Sequence, residues 1–578
     1  MHIMDLKAAS PMAMVDAGNA WDKLSKKYAV HSRDCSRYVH APLTENWRSG
    51  LGAESAASYL GRVGQDLKVA QQELDAIGTV LRAAGEAFLA HQGHLKNLLA
   101  EAAESGFTVH SNGAVSAPEL SAEGLSPADA GAAQKAQAER MKSIADGISQ
   151  VMQDAERSDK EYADAIKKFV DTAHRCAEGN WQTGLFDLST AKKIDQNLLS
   201  EIGMPDKGAG PEAVSAWWKG LSPELRKSLL DDHPYILGNR DGIPAADRDR
   251  GNRAYLPMLL RELERKYDTA SGDARGDLKD KIEGLKGIQS KLSGNGSSGL
   301  RPYLLGIDDE GNGRAIVSYG NPDTSKNVSA YVPGLNTKLS GHFADSDVQR
   351  ADDVARMARR VDPKSSTASV VWLGYDAPQL KFGSQALDVT FEERAKSGAA
   401  AYNGFLRGIH ATHDGGAPHV TALGHSYGSL AVGKASQQGE GLPADDVILV
   451  GSPGTGVDRA ADLGVGADHV YVGAAENDQV TNFPPSFEQM KHWTDYIAPG
   501  SEFGTKQAAF GVDPASKNFG GHRFSVAPGE DTGLRGLLTG DLPAHSVYFK
   551  ENEGGDSLRN IALVVTGNGD HISVAAPR

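Results

Sequence analysis

The apolar residues of this chain change their spacing once, near residues 293–299, and the two sides of that change cannot fold alike. Before it, from Leu60, they recur at alternating three and four residues: Leu60, Val63, Leu67, Ala70, Leu74, Ile77, Leu81, Ala84 and Phe88, with Leu95 and Leu98 in register. A second run reads Met141, Ile144, Ile148, Val151, Ala155, Tyr162, Ala165 and Phe169, with Ser158 as its polar interruption. Such heptad seams place the apolar groups on one side of a long helix, which then needs a partner. Residues 106–131 between them are rich in Gly, Ser, Ala and Pro and read as a flexible connection. The expectation is an antiparallel helical hairpin with facing seams over 1–210, with a third helix over 14–28. A helical connector follows over 211–292, its helices at 213–230 and 253–266 broken by a turn-rich stretch at 238–244. Residues 293–300, Gly- and Ser-rich, read as a linker without a fixed backbone.

Beyond the linker the apolar runs shorten to strand length. Residues 303–307 and 315–319 flank an Asp/Asn/Gly turn and predict a β-hairpin. Further runs at 328–332, 368–373, 420–423, 447–450 and 469–472 alternate with segments of helical length at 345–360, 391–410 and 427–438. That alternation predicts an α/β domain over 301–578, a mostly parallel sheet with helices on both faces, preceded by the all-helical region.

Composition narrows the function. With 578 residues, 40% of them hydrophobic and 23% charged, the chain is long enough for several globular domains. A formal charge of -15 argues against nucleic acid, which needs clustered Lys and Arg. No apolar run approaches the ~18 residues of a membrane span, and the first twenty residues lack the basic-then-apolar order of a secretory signal. The default expectation is therefore cytoplasmic. Cys35 and Cys176 have neither a disulfide framework nor zinc-ligand spacing around them. No HExxH, EF-hand, Walker or strand-flanked GxGxxG pattern is present, so no metal or cofactor is expected.

One constellation carries chemistry. Directly after the apolar run at 420–423 stands Gly424-His425-Ser426-Tyr427-Gly428, followed by a helix-like segment. A serine on so sharp a strand-to-helix turn is lifted clear of the sheet, and only small neighbours let the two elements approach. The helix start also aims N–H groups at a developing oxyanion. Serine needs an oriented base. The loop after 469–473 supplies Asp478, and His492, His522, His545 and His571 lie further on, in the chain order nucleophile, acid, histidine. His545 is the choice, in a turn entering an apolar segment with room before it for one more strand near 523–526. The N–H groups of Tyr427 and of Leu335, in the loop 333–337, are the expected oxyanion donors. Gly334, Asp376 and His425 are pocket candidates. His425 is more simply a residue packed beside the sheet, and Asp376 either shapes the pocket or caps a helix.

These residues also carry a resemblance. The 332–334 loop, Trp372-Leu373-Gly374-Tyr375-Asp376-Ala377-Pro378, Gly424 to Ser429, Gly451-Ser452-Pro453-Gly454 and His545-Ser546 are similar to an actinobacterial α/β-hydrolase family, formerly a domain of unknown function, whose members carry a WXG-type helical N-terminal region. Residues 238–244 and 248–253 resemble it as well. The resemblance implies the triad Ser426, Asp478 and His545, and leaves the substrate open. Trp47-Arg48-Ser49-Gly50 is W-x-x-G where that family has W-x-G, while the long amphipathic helices look similar to hairpins exported by a type VII route. Two readings of function follow. One is a serine esterase, carboxylesterase or lipase-like, acting on a small acyl ester. The other is a non-catalytic interaction protein whose hairpin pairs with a helical partner or with a second copy.

Overall fold

The structure, a computed structural model, describes residues 2–120, 126–177, 184–379, 387–481, 507–508, 510–532, 543–551 and 553–577. Two compact units emerge: residues 1–208 with 216–229, and residues 209–215 with 230–578.

The first unit is helical. Helices α1 (Ile3–Ala8), α2 (Pro11–Asp34), α3 (Ala41–Asn46) and α4 (Leu51–Glu104) are followed by a two-residue ladder of β1 (Thr108–Val109) and β2 (Val115–Ser116), then α5 (Pro127–Ala177) and α6 (Gly184–Glu201). The seam of α5 is buried at Ile144, Ile148, Val151, Ala155, Tyr162, Ala165 and Phe169. Its polar interruption is satisfied: Ser158 Oγ lies 2.9 Å from His91 Nε2 of α4 and hydrogen-bonds Glu201 of α6. The α4 seam is buried as expected at Ala84, Phe88 and Leu95, but departs from expectation before them, where Val69, Ala76, Val80 and Ala83 are buried and Leu67, Leu74 and Leu81 are half-buried. The reason is that α4 touches α2, α5 and α6. Its most intimate neighbour is α2, running antiparallel, where a Cβ on Gly85 would stand 2.6 Å from a Val15 methyl and 2.7 Å from the Pro11 carbonyl. Backbones that close require glycine and alanine, and leucine is displaced to the flanks. The connection at 106–131 is only partly irregular, since it holds the β1–β2 ladder and the start of α5.

From α7 (Pro211–Gly220) and α8 (Pro223–Asp232) the chain enters the second unit, which begins with α9 (Pro234–Gly238), α10 (Ala245–Thr269) and α11 (Gly272–Lys291). These do not form a separate connector, because α10 is fastened to the first strand of the sheet, β3 (Pro302–Asp308). Buried Asp249 accepts from the Leu304 N–H and pairs with Arg253 and Arg301. Asn252 donates to the carbonyls of Gly238 and Leu304. The expected linker at 293–300 is likewise a fixed turn: the Ser297 and Ser298 N–H groups donate to Asp352, and a Cβ on Gly296 would run into that carboxylate. Its Gly content serves close approach, a purpose composition cannot distinguish from mobility.

The remaining elements are β4 (Arg314–Tyr319), β5 (Asn327–Val332), α12 (Val348–Val361), β6 (Thr367–Leu373), α13 (Leu387–Thr412), β7 (His419–His425), α14 (Gly428–Ser436), β8 (Asp446–Val450), β9 (Val470–Gly473), a short ladder of β10 (Gln507–Ala508) with β11 (Gly511–Val512), β12 (His522–Phe524) and α15 (Ser557–Val565). The main sheet runs β12-β9-β8-β7-β5-β6-β4-β3. From β12 to β6 every pairing is parallel, and β4 and β3 are antiparallel additions at one edge. Every residue of β5, β6, β8 and β9 is buried, as a sheet covered on both faces demands. The covering helices form two pairs, α12 with α15 and α13 with α14. This is the α/β-hydrolase architecture.

Candidate active site

The site is built where the parallel strands β5, β7, β8 and β9 end. Ser426 sits between β7 and α14 with φ +56°, a left-handed conformation that costs a non-glycine residue on the order of 1–3 kcal/mol. What holds it there is a bond from its N–H to the Val450 carbonyl at the end of β8, 3.0 Å long. Glycines on either side make the turn possible: a Cβ on Gly424 would stand 2.7 Å from the Ser429 Cα, and one on Gly428 would strike the Val332 carbonyl. The serine remains 7% exposed.

Asp478 lies on the loop after β9, its side chain wholly buried, and His545 in a 3-10 turn, Pro543–Phe549, after β12. The structure brings them together: His545 Nδ1 is 3.0 and 2.9 Å from the two carboxylate oxygens. Burial pushes the Asp478 pKa up, but the His545 charge and hydrogen bonds from His545, Tyr548 and the Val480 N–H outweigh it and hold the group below its ordinary value. Both residues lie at the end of β8, whose Val450 carbonyl holds the Ser426 N–H. A Cβ on Gly451, the residue after Val450, would stand 2.9 Å from His545 Cε1 and 3.0 Å from Asp478 Oδ2.

The loop after β5 comes equally close. A Cβ on Gly334 would lie 2.6 Å from Ser426 Cβ and 3.0 Å from its Oγ, so only glycine lets this backbone reach the serine. Leu335 follows it, and the Tyr375 hydroxyl anchors the loop through the Pro333 carbonyl at 3.0 Å. Trp372, Tyr375 and Tyr427 stack in a column behind the turn, with centroid separations of 5.8 and 6.5 Å. Tyr427 is the N-cap of α14, so its N–H belongs to the helix start beside Ser426.

Of the pocket candidates, Gly334 and His425 are at the serine, and Asp376 is not. Its carboxylate accepts from the Asn312 N–H and faces Arg314, securing the β3–β4 turn rather than a pocket or a helix start. Among the other histidines, His522 faces Asp468 and His571 faces Asp570, while His492 lies outside the described residues.

Sequence reasoning missed Tyr548. Its hydroxyl donates to Asp478 Oδ2 at 2.5 Å and accepts from the Ala475 N–H. The signal was spacing, because residues three apart in a 3-10 turn share a side, and Tyr548 follows His545 by three. Among the described residues no group of three or more His, Cys, Asp or Glu could hold a metal ion, and no helix is long and apolar enough to cross a membrane.

Comparison with known proteins agrees with the fold. A family profile described as alpha/beta hydrolase matches residues 308–489. Uncharacterized protein Rv2079 of Mycobacterium tuberculosis is 31% identical over 405 residues, 65% of this chain and 59% of the relative, so the chain spans about three-fifths of that protein's length. Uncharacterized protein Mb0988c of Mycobacterium bovis is 36% identical over 239 residues, 40% of this chain and 86% of the relative. With strand order, elbow and profile in accord, the chain belongs to the alpha/beta hydrolase family.

Proposed function

We propose that this protein is a serine hydrolase that cleaves small acyl esters, in the manner of a carboxylesterase or lipase, through Ser426, His545 and Asp478. The observation that carries the reading is the buried Asp478 carboxylate closed on His545 Nδ1 beside a serine at φ +56°. With Nδ1 so engaged, Nε2 is the nitrogen left for chemistry. It takes the proton of Ser426 as Oγ attacks the acyl carbon, and Asp478 fixes the tautomer and stabilises the imidazolium. The oxyanion is received by the N–H groups of Tyr427 and Leu335. His545 then protonates the leaving alcohol, and water, deprotonated by the same imidazole, releases the acid from Ser426.

A fluorophosphonate probe tests this directly. The folded protein becomes covalently labelled, the label is absent in Ser426→Ala, and turnover of p-nitrophenyl esters falls by on the order of 10⁴-fold or more in that variant. Graded acyl lengths then define the substrate. Folded protein that takes no label at any pH overturns the reading.

A further inference from the structure

The residue before the nucleophile does more than fill space. His425 ends β7, is 5% exposed, and points into a box formed by Tyr331 of β5 with His545, Tyr548 and Phe549 of the 3-10 turn. Its Nε2 stands 2.9 Å from the main-chain carbonyl of His545. A carbonyl only accepts, so Nε2 carries the hydrogen and donates it. The two imidazoles lie close together in a tilted arrangement, with centroids 4.6 Å apart and planes inclined by 30°.

We propose that His425 is a positioning residue for His545: its Nε2–H ties down the His545 main chain while its ring supports the imidazole, so that Nδ1 stays on Asp478 and Nε2 stays turned to Ser426. This rests on the hydrolase reading above for its catalytic consequence, but the His425 bond to the His545 carbonyl and the placement of Nδ1 on Asp478 exist in the resting protein. His545 has no regular element to stiffen it, since it comes from a single 3-10 turn. Three ties hold it instead: the carboxylate at Nδ1, the His425 donor at its carbonyl, and Tyr548, which reaches the same carboxylate from three residues on. The position directly before Ser426 couples the base to the nucleophile through one strand end.

The charge state of His425 fits the task. The groups that face it are His545 and Tyr548 from the 3-10 turn, Tyr331 from β5, and Arg350 from α12, which itself pairs with Asp347. Burial, then the charges of His545 and Arg350, hold the His425 pKa well below the usual histidine range. It therefore stays neutral when His545 gains a proton during acyl transfer, and the imidazolium does not meet a second cation at stacking distance.

Two variants separate positioning from filling. His425→Phe fills the box without a donor, and His425→Gln supplies an amide donor of similar reach. The first readout is the downfield imidazole proton that His545 Nδ1 shares with Asp478, observed by NMR in the resting protein. The second is kcat and KM on an ester substrate. The expected result is that His425→Phe broadens or loses the proton signal and lowers kcat by on the order of 100-fold with KM within about 2-fold, the size of effect a misplaced base produces. His425→Gln restores the signal and brings kcat back to within several-fold of the parent. A His425→Phe protein that keeps both signal and kcat overturns the proposal, as does a His425→Gln protein that behaves like His425→Phe. If the parent protein shows the signal but no turnover and no labelling, the hydrolase reading falls, and the NMR comparison still decides whether His425 positions His545.

Discussion

At the scale of single residues, the acid of the site is held by more hands than the sequence reveals. Asp478 receives His545, the Val480 N–H and Tyr548. Hydrogen bonds to a charged group contribute about 1.5–3 kcal/mol, so Tyr548→Phe is expected to lower kcat by about 10-fold. It also removes a donor that holds the Asp478 pKa down. The acid limb of kcat/KM therefore moves to higher pH, which a pH–rate profile of the two proteins would register; an unmoved limb counts against the role given to the hydroxyl. The serine was legible because its glycines announce it. Tyr548 carried a signal only in its three-residue spacing from His545, and the true partner of Asp376 carried none, since it depends on what a distant turn brings near.

Elements show the same division between local and distant causes. The α5 seam was readable at nearly every position because only one side of that helix meets a core, and its polar gap at Ser158 is closed by side chains of α4 and α6. The α4 seam was readable at Ala84, Phe88 and Leu95 but not at Leu67, Leu74 and Leu81, because several helices touch α4 and the closest approach belongs to Gly78 and Gly85 against α2. This gives opposite signs for one substitution. Helix propensity alone predicts that Gly85→Ala gains about 1 kcal/mol. The 2.6 Å clash with Val15 predicts a loss of about 1–3 kcal/mol instead. Denaturant titration of the two proteins discriminates, and a stabilised variant would mean that α2 and α4 are not so closely apposed. In the second unit the strands and their helices were legible from run length, while the fixed turn at 293–300 was not. Its glycines and serines are pinned by Asp352, more than fifty residues away.

Across the whole molecule the buried histidines set how stability responds to acid. Burial lowers His91 to about 4 and also lowers His94 and His425. The unfolded chain takes up those protons first, near pH 6.5, so their contribution is complete above that pH and drains away as pH falls toward the folded values. For His91 alone the loss between pH 6.5 and about 4 amounts to about 3 kcal/mol. His419 opposes this: burial would lower it, but the bond and charge of Asp446 raise it, so its contribution is present below 6.5 and is lost as pH rises through the folded value. Urea midpoints should therefore fall from pH 6.5 toward 4.5, and fall less in His91→Gln, whose amide does not titrate. Equal slopes in both proteins would exclude His91 as a source.

The assembly of the site from separated strand ends has a kinetic corollary. Ser426, Asp478 and His545 arrive on segments joined by non-local parallel pairings, the last two 67 residues apart. Local contacts form quickly and distant ones wait on loop closure. A refolding chain would thus regain its helical dichroism before the imidazole finds its carboxylate, making reactivity a late clock for the closing of the sheet.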